Sequence, residues 1–181
     1  ELLTLVQTGK AEPVPIVLLD TPGGSYWQAW QRFVEHEVAG NGMVSTHDFS
    51  LYRITDSVAD AVGEIERFYR NFHSLRYVGD RLVLRLRSAP TRRELERLSR
   101  DFADIVEGPI ERSGPFPPEV SGNDHLDLSR VAMRFDRHGF GRLRSLINAL
   151  NDLASAPARP STPPTTAEAE GVVELEAHDL A

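Results

Sequence analysis

The side chains best suited to chemistry in this chain are an aspartate that closes an apolar run, arginines that alternate with leucines, and a Glu-His-Glu triplet. Asp20 ends Pro15-Ile16-Val17-Leu18-Leu19 and leads into Thr21-Pro22-Gly23-Gly24. A continuous apolar run of that length reads as a strand of a parallel sheet covered on both faces, whose carboxyl end faces the ligand crevice. Asp20 and its turn are therefore candidates for lining a site, against the plainer reading that aspartate caps the turn. Arg81, Arg85 and Arg87 flank Leu82, Leu84 and Leu86, and Arg130 and Arg134 flank Val131 and Met133. On the wet face of two strands such arginines either bind an anion or solvate the sheet. Glu35-His36-Glu37 has metal-ligating types, but consecutive helical residues point about 100° apart and do not converge on one ion. His36, His47, His73, His125, His138 and His178 stand at no helical or turn spacing to one another, so no zinc site is expected.

Other chemistries lack their signatures. There is no Gly-x-Ser-x-Gly elbow and no Walker-type phosphate loop. The one lysine, Lys10, falls on a surface turn, which gives Schiff-base chemistry no support, and no cofactor is expected. With 20 basic and 27 acidic residues the net charge is −7, which argues against nucleic acid as a partner. Hydrophobic content of 40% and charged content of 26% are ordinary for a globular protein, and no run of about 18 apolar residues exists to span a membrane. The absence of cysteine fits a reducing compartment, so a cytoplasmic location is expected.

The elements that must position these groups follow from period and punctuation. Leu2, Leu3, Leu5 and Val6 form a helical stripe that ends at Thr8-Gly9-Lys10. No N-cap residue precedes it, so the chain is expected to be cut from something longer. After the strand to Leu19, Ser25 caps a helix carrying Trp27, Trp30, Val34 and Val38, with Tyr26 and Phe33 flanking, stopped by Gly40-Asn41-Gly42. Leu51 to Ile54 is a second strand, and Ser57 opens a helix expected to bury Val58, Val62, Ile65, Tyr69 and Phe72. This order is half of a doubly wound sheet.

Beyond His73-Ser74 the period changes. Leu82, Leu84 and Leu86 mark a strand with one buried face, and Thr91 and Glu94 form a capping box for a helix with Leu95, Leu98, Phe102 and Ile105 on its stripe, ended by Gly108-Pro109. A weak strand near 110–112, a Gly/Pro/Asn-rich loop over 114–123, a strand through Val131, Met133 and Phe135, and a helix from Gly139 burying Leu143, Leu146, Ile147, Leu150 and Leu153 complete a βαββα order. The expected fold is α/β: the C-terminal half of a Rossmann-like parallel sheet over 1–74, a small α+β, ferredoxin-like unit over 75–153, and a disordered acidic Pro/Ala/Thr-rich tail over 154–181.

Glu1-Leu2-Leu3-Thr4-Leu5-Val6-Gln7-Thr8-Gly9, the strand Pro15 to Leu19, Gly24-Ser25-Tyr26-Trp27 and the helix behind them resemble the second half of a LOG (Lonely Guy) family protein, a family also labelled lysine decarboxylase-like. The resemblance covers residues 1 to 72; the stretch through Arg76-Tyr77-Val78-Gly79-Asp80-Arg81 looks like longer bacterial members with a C-terminal extension. It implies a Rossmann-like fold, a homodimer in the intact protein, and hydrolysis of the N-glycosidic bond of cytokinin riboside 5′-monophosphates to free base and ribose 5-phosphate. The family's Pro-Gly-Gly-x-Gly-Thr-x-x-Glu turn leads into a helix that reads like Glu1 onward, so that turn, its essential glutamate and a further arginine are expected outside this chain. Pro22-Gly23-Gly24 is no substitute, because Ser25-Tyr26-Trp27 follows it. What the resemblance carries onto this chain is Thr4 as a nucleotide contact, Gln7 on the same helical face as a second, and Tyr26 as a match to a family tyrosine. No catalytic residue and no metal ligand is expected among residues 1 to 181, and the chain alone is expected to be inactive. The alternative expectation is a non-catalytic nucleotide- or anion-binding regulatory module built on the arginine-lined face.

Overall fold

Leu2–Gln7 forms α1, and Gly9, at φ +69°, turns the chain away just past the Thr8 cap. Glycine takes that left-handed conformation without a Cβ penalty. A Cβ here would also run into the ring of Phe140, which packs against the turn. The structure, a computed structural model, describes residues 1–158.

β1 (Ile16–Leu19) and β2 (Tyr52–Thr55) pair in parallel as a two-stranded sheet, with Ile16 opposite Tyr52 and Leu19 opposite Thr55. The crossover between them holds α2 (Tyr26–Phe33), a π-helical turn over Val34–Ala39 and a 3-10 turn over Thr46–Leu51. The pairing is the parallel one that the apolar run implies. Cover on both faces is not: Leu19 stays 43% exposed, and α2 buries none of its residues. Trp27, Trp30, Val34 and Val38 are half-buried, while Tyr26 and Phe33 are exposed.

α3 (Val58–Phe68) departs from its expected stripe. Ala61 and Phe68 are buried, Val58, Ile65 and Tyr69 are exposed, and Phe72 belongs to the next strand. Phe68, Tyr69 and Phe72 are spaced like one helical face, and that spacing conceals the change to a period of two.

The second sheet has the order β3-β4-β6-β5, every neighbour antiparallel. Its strands are β3 (Phe72–Val78), β4 (Arg81–Leu86), β5 (Val106–Ser113) and β6 (Ser129–Phe135). The sequence pattern gives no sign of β3, which runs across the expected 74/75 boundary. α4 (Arg92–Asp101) begins at the expected box: Glu94 N–H donates to Thr91 Oγ1 at 3.3 Å, and Thr91 N–H donates to Glu94 Oε2 at 2.7 Å. It ends at Asp101, so Phe102 and Ile105 are buried in the connection rather than on the helix. Gly108-Pro109 does not end that helix; it lies inside β5, where the register with β6 shifts between Glu107 and Glu111.

One face of this sheet makes the main core. Leu82, Leu84 and Leu86 of β4 and Val131 and Met133 of β6 meet Leu95 and Leu98 of α4 and the inner face of α6 (Phe140–Asn151). Leu143, Leu146, Ile147 and Leu150 of α6 are fully enclosed. The same helix turns its other sides toward α1, α3 and the 3-10 turn, so it serves both sheets. A Cβ on Gly141 would lie 2.5 Å from the His47 carbonyl oxygen, and only glycine permits that approach. Arg144, also buried, donates to the Val14 carbonyl at 3.1 Å and to Glu64 Oε1 at 2.6 Å, and lies over the Phe68 ring at 4.4 Å. Asn151 Oδ1 accepts from the N–H groups of Asn71 and Phe72, both at 2.8 Å, and pins the start of β3 to the end of α6.

The chain stays packed past Leu153. Ala156 joins the core, Ser155 N–H donates to Glu94 Oε1 at 3.2 Å, and Arg70 Nε donates to the Pro157 carbonyl at 2.6 Å. Disorder expected from 154 therefore does not hold for 154–158, and residues 159–181 lie outside the described residues. Among the described residues no helix is long and apolar enough to cross a membrane.

Candidate functional site

Thr4 and Gln7, one helical turn apart on α1, line the same cavity of about 180 Å³. Trp30 and Val38 from the crossover and Phe49 and Tyr52 from the approach to β2 close it. Trp30 and Phe49 meet the Tyr52 ring edge-on, with centroids 5.4 and 6.4 Å away, and make an aromatic wall. Gln7 Nε2 donates to Asp48 Oδ2 at 2.8 Å, and the same oxygen accepts from Ser45 N–H at 2.8 Å, capping the 3-10 turn. The amide of Gln7 is thereby tied to the 3-10 turn. Thr4 is exposed, and its own carbonyl accepts the Thr8 N–H and hydroxyl at 3.0 and 2.7 Å.

Among the described residues, the Tyr52 hydroxyl is buried without a hydrogen-bond partner. Burial pushes its pKa up and the Glu35 carboxylate adds to the effect, so the phenol keeps its proton. An unpaired buried hydroxyl costs about 1–3 kcal/mol. Cavity size limits the ligand. Ligand clefts start at about 300 Å³, and an apolar hole of about 150 Å³ takes a single benzene ring. The space here holds one ring, so a sugar and a phosphate would lie outside it.

Asp20 is occupied by local structure. Its Oδ1 accepts from Thr21 N–H at 2.9 Å, and its Oδ2 accepts from Trp27 N–H at 3.3 Å, in the first turn of α2. Ser25, the expected cap, makes no side-chain cap bond. Gly23 N–H donates to Asp56 Oδ2 at 2.9 Å, which ties the turn to the end of β2. Tyr26 is exposed on α2 and lines no part of the cavity. Glu35, His36 and Glu37 are all exposed.

The arginine face is the main correction. Arg85 and Arg130 stand directly opposite each other across β4 and β6, yet both are buried rather than wet. Like charges in that position repel unless an anion lies between them. The anion is internal: Glu119, on α5 (Pro117–Ser121), is fully enclosed and accepts from Arg85 Nε and Nη2 at 3.0 and 2.8 Å and from Arg130 Nε at 3.2 Å. Burial alone would raise its pKa, but the Phe116 N–H and the two guanidinium groups outweigh that and hold the carboxyl below its usual range. Asp124 pairs with Arg76 and Arg85 on the same face. Arg134 is exposed and pairs with Asp80, Arg87 is exposed with its Nε on the Tyr69 carbonyl, and Arg81 is half-buried.

The loop over 114–128 thus forms a strap across the sheet face. Its one legible signal was Pro117 opening a helical turn, which sets Glu119 where a carboxylate reaches back to the Phe116 N–H, at 3.0 Å. Spacing gave no hint that His73 of β3 and His125 of the strap pack together, tilted, with ring centroids 4.5 Å apart. A larger groove, about 850 Å³, runs between α4 and β5 past Arg92, Glu96, Arg100, Glu111 and Arg112. Its charges alternate in sign and Arg112 is bonded to the Pro90 carbonyl, so no set of polar groups converges there.

No family model, no curated protein and no solved structure matches this chain.

Proposed function

We propose that this chain is the carboxyl-terminal part of a LOG-type nucleoside 5′-monophosphate phosphoribohydrolase, contributing the far wall of a nucleotide site. The observation that carries the reading is the placement of Thr4 and Gln7 side by side on one aromatic-walled cavity that Tyr52 also lines. The cavity suits a base ring. The phosphate-binding turn and the carboxylate that acts at the glycosidic bond are not among residues 1 to 181. A parallel sheet of two strands with exposed Leu19 and an uncovered α2 supports the same reading, since parallel sheets are stable when layered on both faces by more strands and helices. The Rossmann-like assignment, the homodimer, the 5′-monophosphate substrate and the cytoplasmic setting belong to this proposal.

The alternative of an anion-binding module on the arginine face loses its main residues, because Arg85 and Arg130 already hold Glu119. The test is release of free base and ribose 5-phosphate from a panel of nucleoside monophosphates by a longer chain that joins a Pro-Gly-Gly-x-Gly-Thr-x-x-Glu turn to residue 1. Release is expected from that chain and none from residues 1 to 181 alone. Within it, Gln7→Ala raises KM about tenfold, the cost of one lost hydrogen bond of roughly 1.4 kcal/mol. No release from any nucleotide by the longer chain overturns the reading.

A further inference from the structure

The strap over 114–128 is held on the sheet by an arrangement that depends on charge. We propose that His73 and His125 form an acid-operated latch: with both rings neutral the strap stays closed on the sheet, and protonation of the pair releases it.

Four observations carry this. First, the rings lie 4.5 Å apart at 59°, one on an edge strand and the other on the strap, so two imidazolium charges would face each other across the contact. Second, the Ser74 hydroxyl is within reach of His73 and can donate to its neutral ring. Ser74 Oγ accepts a hydrogen bond from Arg85 Nη1 at 3.3 Å, which leaves the Ser74 proton for His73 Nδ1, 2.9 Å away.

Third, the surroundings are cationic and their carboxylates are already engaged. Arg85 of β4 and Arg87 just after it act on His73, Arg130 of β6 donates to the His125 carbonyl, and Arg76 of β3 holds Asp124 on the strap. The strap supplies Glu119, Asp124 and Asp127 beside His125. Glu119 holds Arg85 and Arg130, and Asp124 holds Arg76 and Arg85, so Asp127 is the carboxylate left for an imidazolium. Fourth, the closed strap is conformationally demanding. Asn123 and His125 take φ of +47° and +49°, a region uncommon for non-glycine residues, although asparagine and histidine enter it more readily than most. Arg130 Nη2 helps to hold this backbone, donating to the Asp124 and His125 carbonyls at 3.0 and 2.9 Å.

The direction of the pH effect follows from His73. Burial lowers its pKa below the ordinary 6.5, with the charges of His125, Arg87 and Arg85 acting the same way and Asp127 opposing. A base with a depressed pKa favours the folded contact in its neutral form. The latch is therefore fully closed above the ordinary imidazole value and weakens as pH falls below it. Opening uncovers Arg85 and Arg130, which the closed strap conceals, beside the half-exposed Arg76.

The test is amide hydrogen exchange with imidazole NMR titration on residues 1 to 181, between about pH 7.5 and about pH 5. Val120, Asp124 and Leu128 report the strap, since their N–H groups bond to the Phe116, Glu119 and His125 carbonyls, and Leu95 and Phe102 report α4. The expected result is a loss of protection at the strap amides at low pH with α4 retained, a His73 titration midpoint below 6.5, and a strap indifferent to pH in His73→Gln. Should His73→Gln not fold, His125→Asn gives the same comparison, because asparagine tolerates the left-handed backbone. Strap protection unchanged by pH, a loss shared equally by α4, or a pH response that survives the substitution overturns the proposal.

Discussion

β1 and β4 are built from nearly the same material, Ile-Val-Leu-Leu in one and Leu-Val-Leu in the other, yet they lead different lives. From Leu82 to Leu86 every residue of β4 is buried, whereas along β1 burial decays from Ile16 to an exposed Leu19. The difference is in their neighbours. β4 has a strand on each side, two helices on one face and the strap on the other, while β1 has β2 as its one neighbouring strand, with α1 and α3 packed near it and α2 only loosely seated. An apolar run identifies a strand, but the layers around it decide how much stability that strand contributes.

The comparison breaks most visibly at matched leucines. Leu146→Ala, within the enclosed side of α6, should cost about 3–4 kcal/mol through lost transfer energy and the cavity left behind. Leu19→Ala should cost less than about 1 kcal/mol, since its side chain keeps much of its exposure. Urea titrations of the two variants decide the matter, and equal losses would mean that β1 is covered in solution. A smaller effect is expected where the regions meet. Gly141→Ala places a Cβ against the backbone of His47 and Asp48 and should cost about 1–3 kcal/mol. Both tryptophans, Trp27 and Trp30, sit on α2, so their fluorescence follows the first region alone. In this variant the fluorescence transition should precede the circular dichroism transition, while coincident curves would show the two regions unfolding as one unit.

A pH-dependent effect is confined to the antiparallel side. Burial raises the pKa of Glu94, but hydrogen bonds from Thr91 and Ser155 outweigh it and bring the value down to about 2, from an ordinary 4.5. A carboxylate with a depressed folded pKa stabilises above its unfolded value and loses that contribution as pH falls toward the folded one. Stability should therefore decline between pH 4.5 and about 2, and Glu94→Gln should flatten that decline in an acid titration followed by circular dichroism. A decline of the same steepness in the variant would assign acid lability to other carboxylates.

What could be read from sequence was local. Gly9 stops a helix, Thr91 and Glu94 build a capping box, and Leu82, Leu84 and Leu86 alternate, because each depends on residues within one turn or one strand. Thr4 and Gln7 could be placed on one helical face for the same reason, although the Asp48 partner of Gln7 could not. The features that escaped depend on pairing between distant segments. β3 took its identity from β4, and its leading Phe72 passed for the end of a helix. Arg85 and Arg130 looked solvated because nothing in a Gly/Pro-rich loop marks Glu119 as a buried counter-charge. His73 and His125 meet only once the strap has folded over the sheet.

The shared helix α6 also bears on the order in which the chain can acquire structure. Arg144 bonds to the Val14 carbonyl, and Ser50 Oγ donates to the Gly141 carbonyl at 2.6 Å, so the first region is completed by residues near the far end of the described chain. During synthesis from the amino terminus, α1, β1 and α3 emerge well before the helix that seats them. They wait with apolar faces open, and closure of such long loops slows folding and lengthens exposure to aggregation. Translation through residue 151 is thus the point at which this part of the protein first becomes safe to leave unattended.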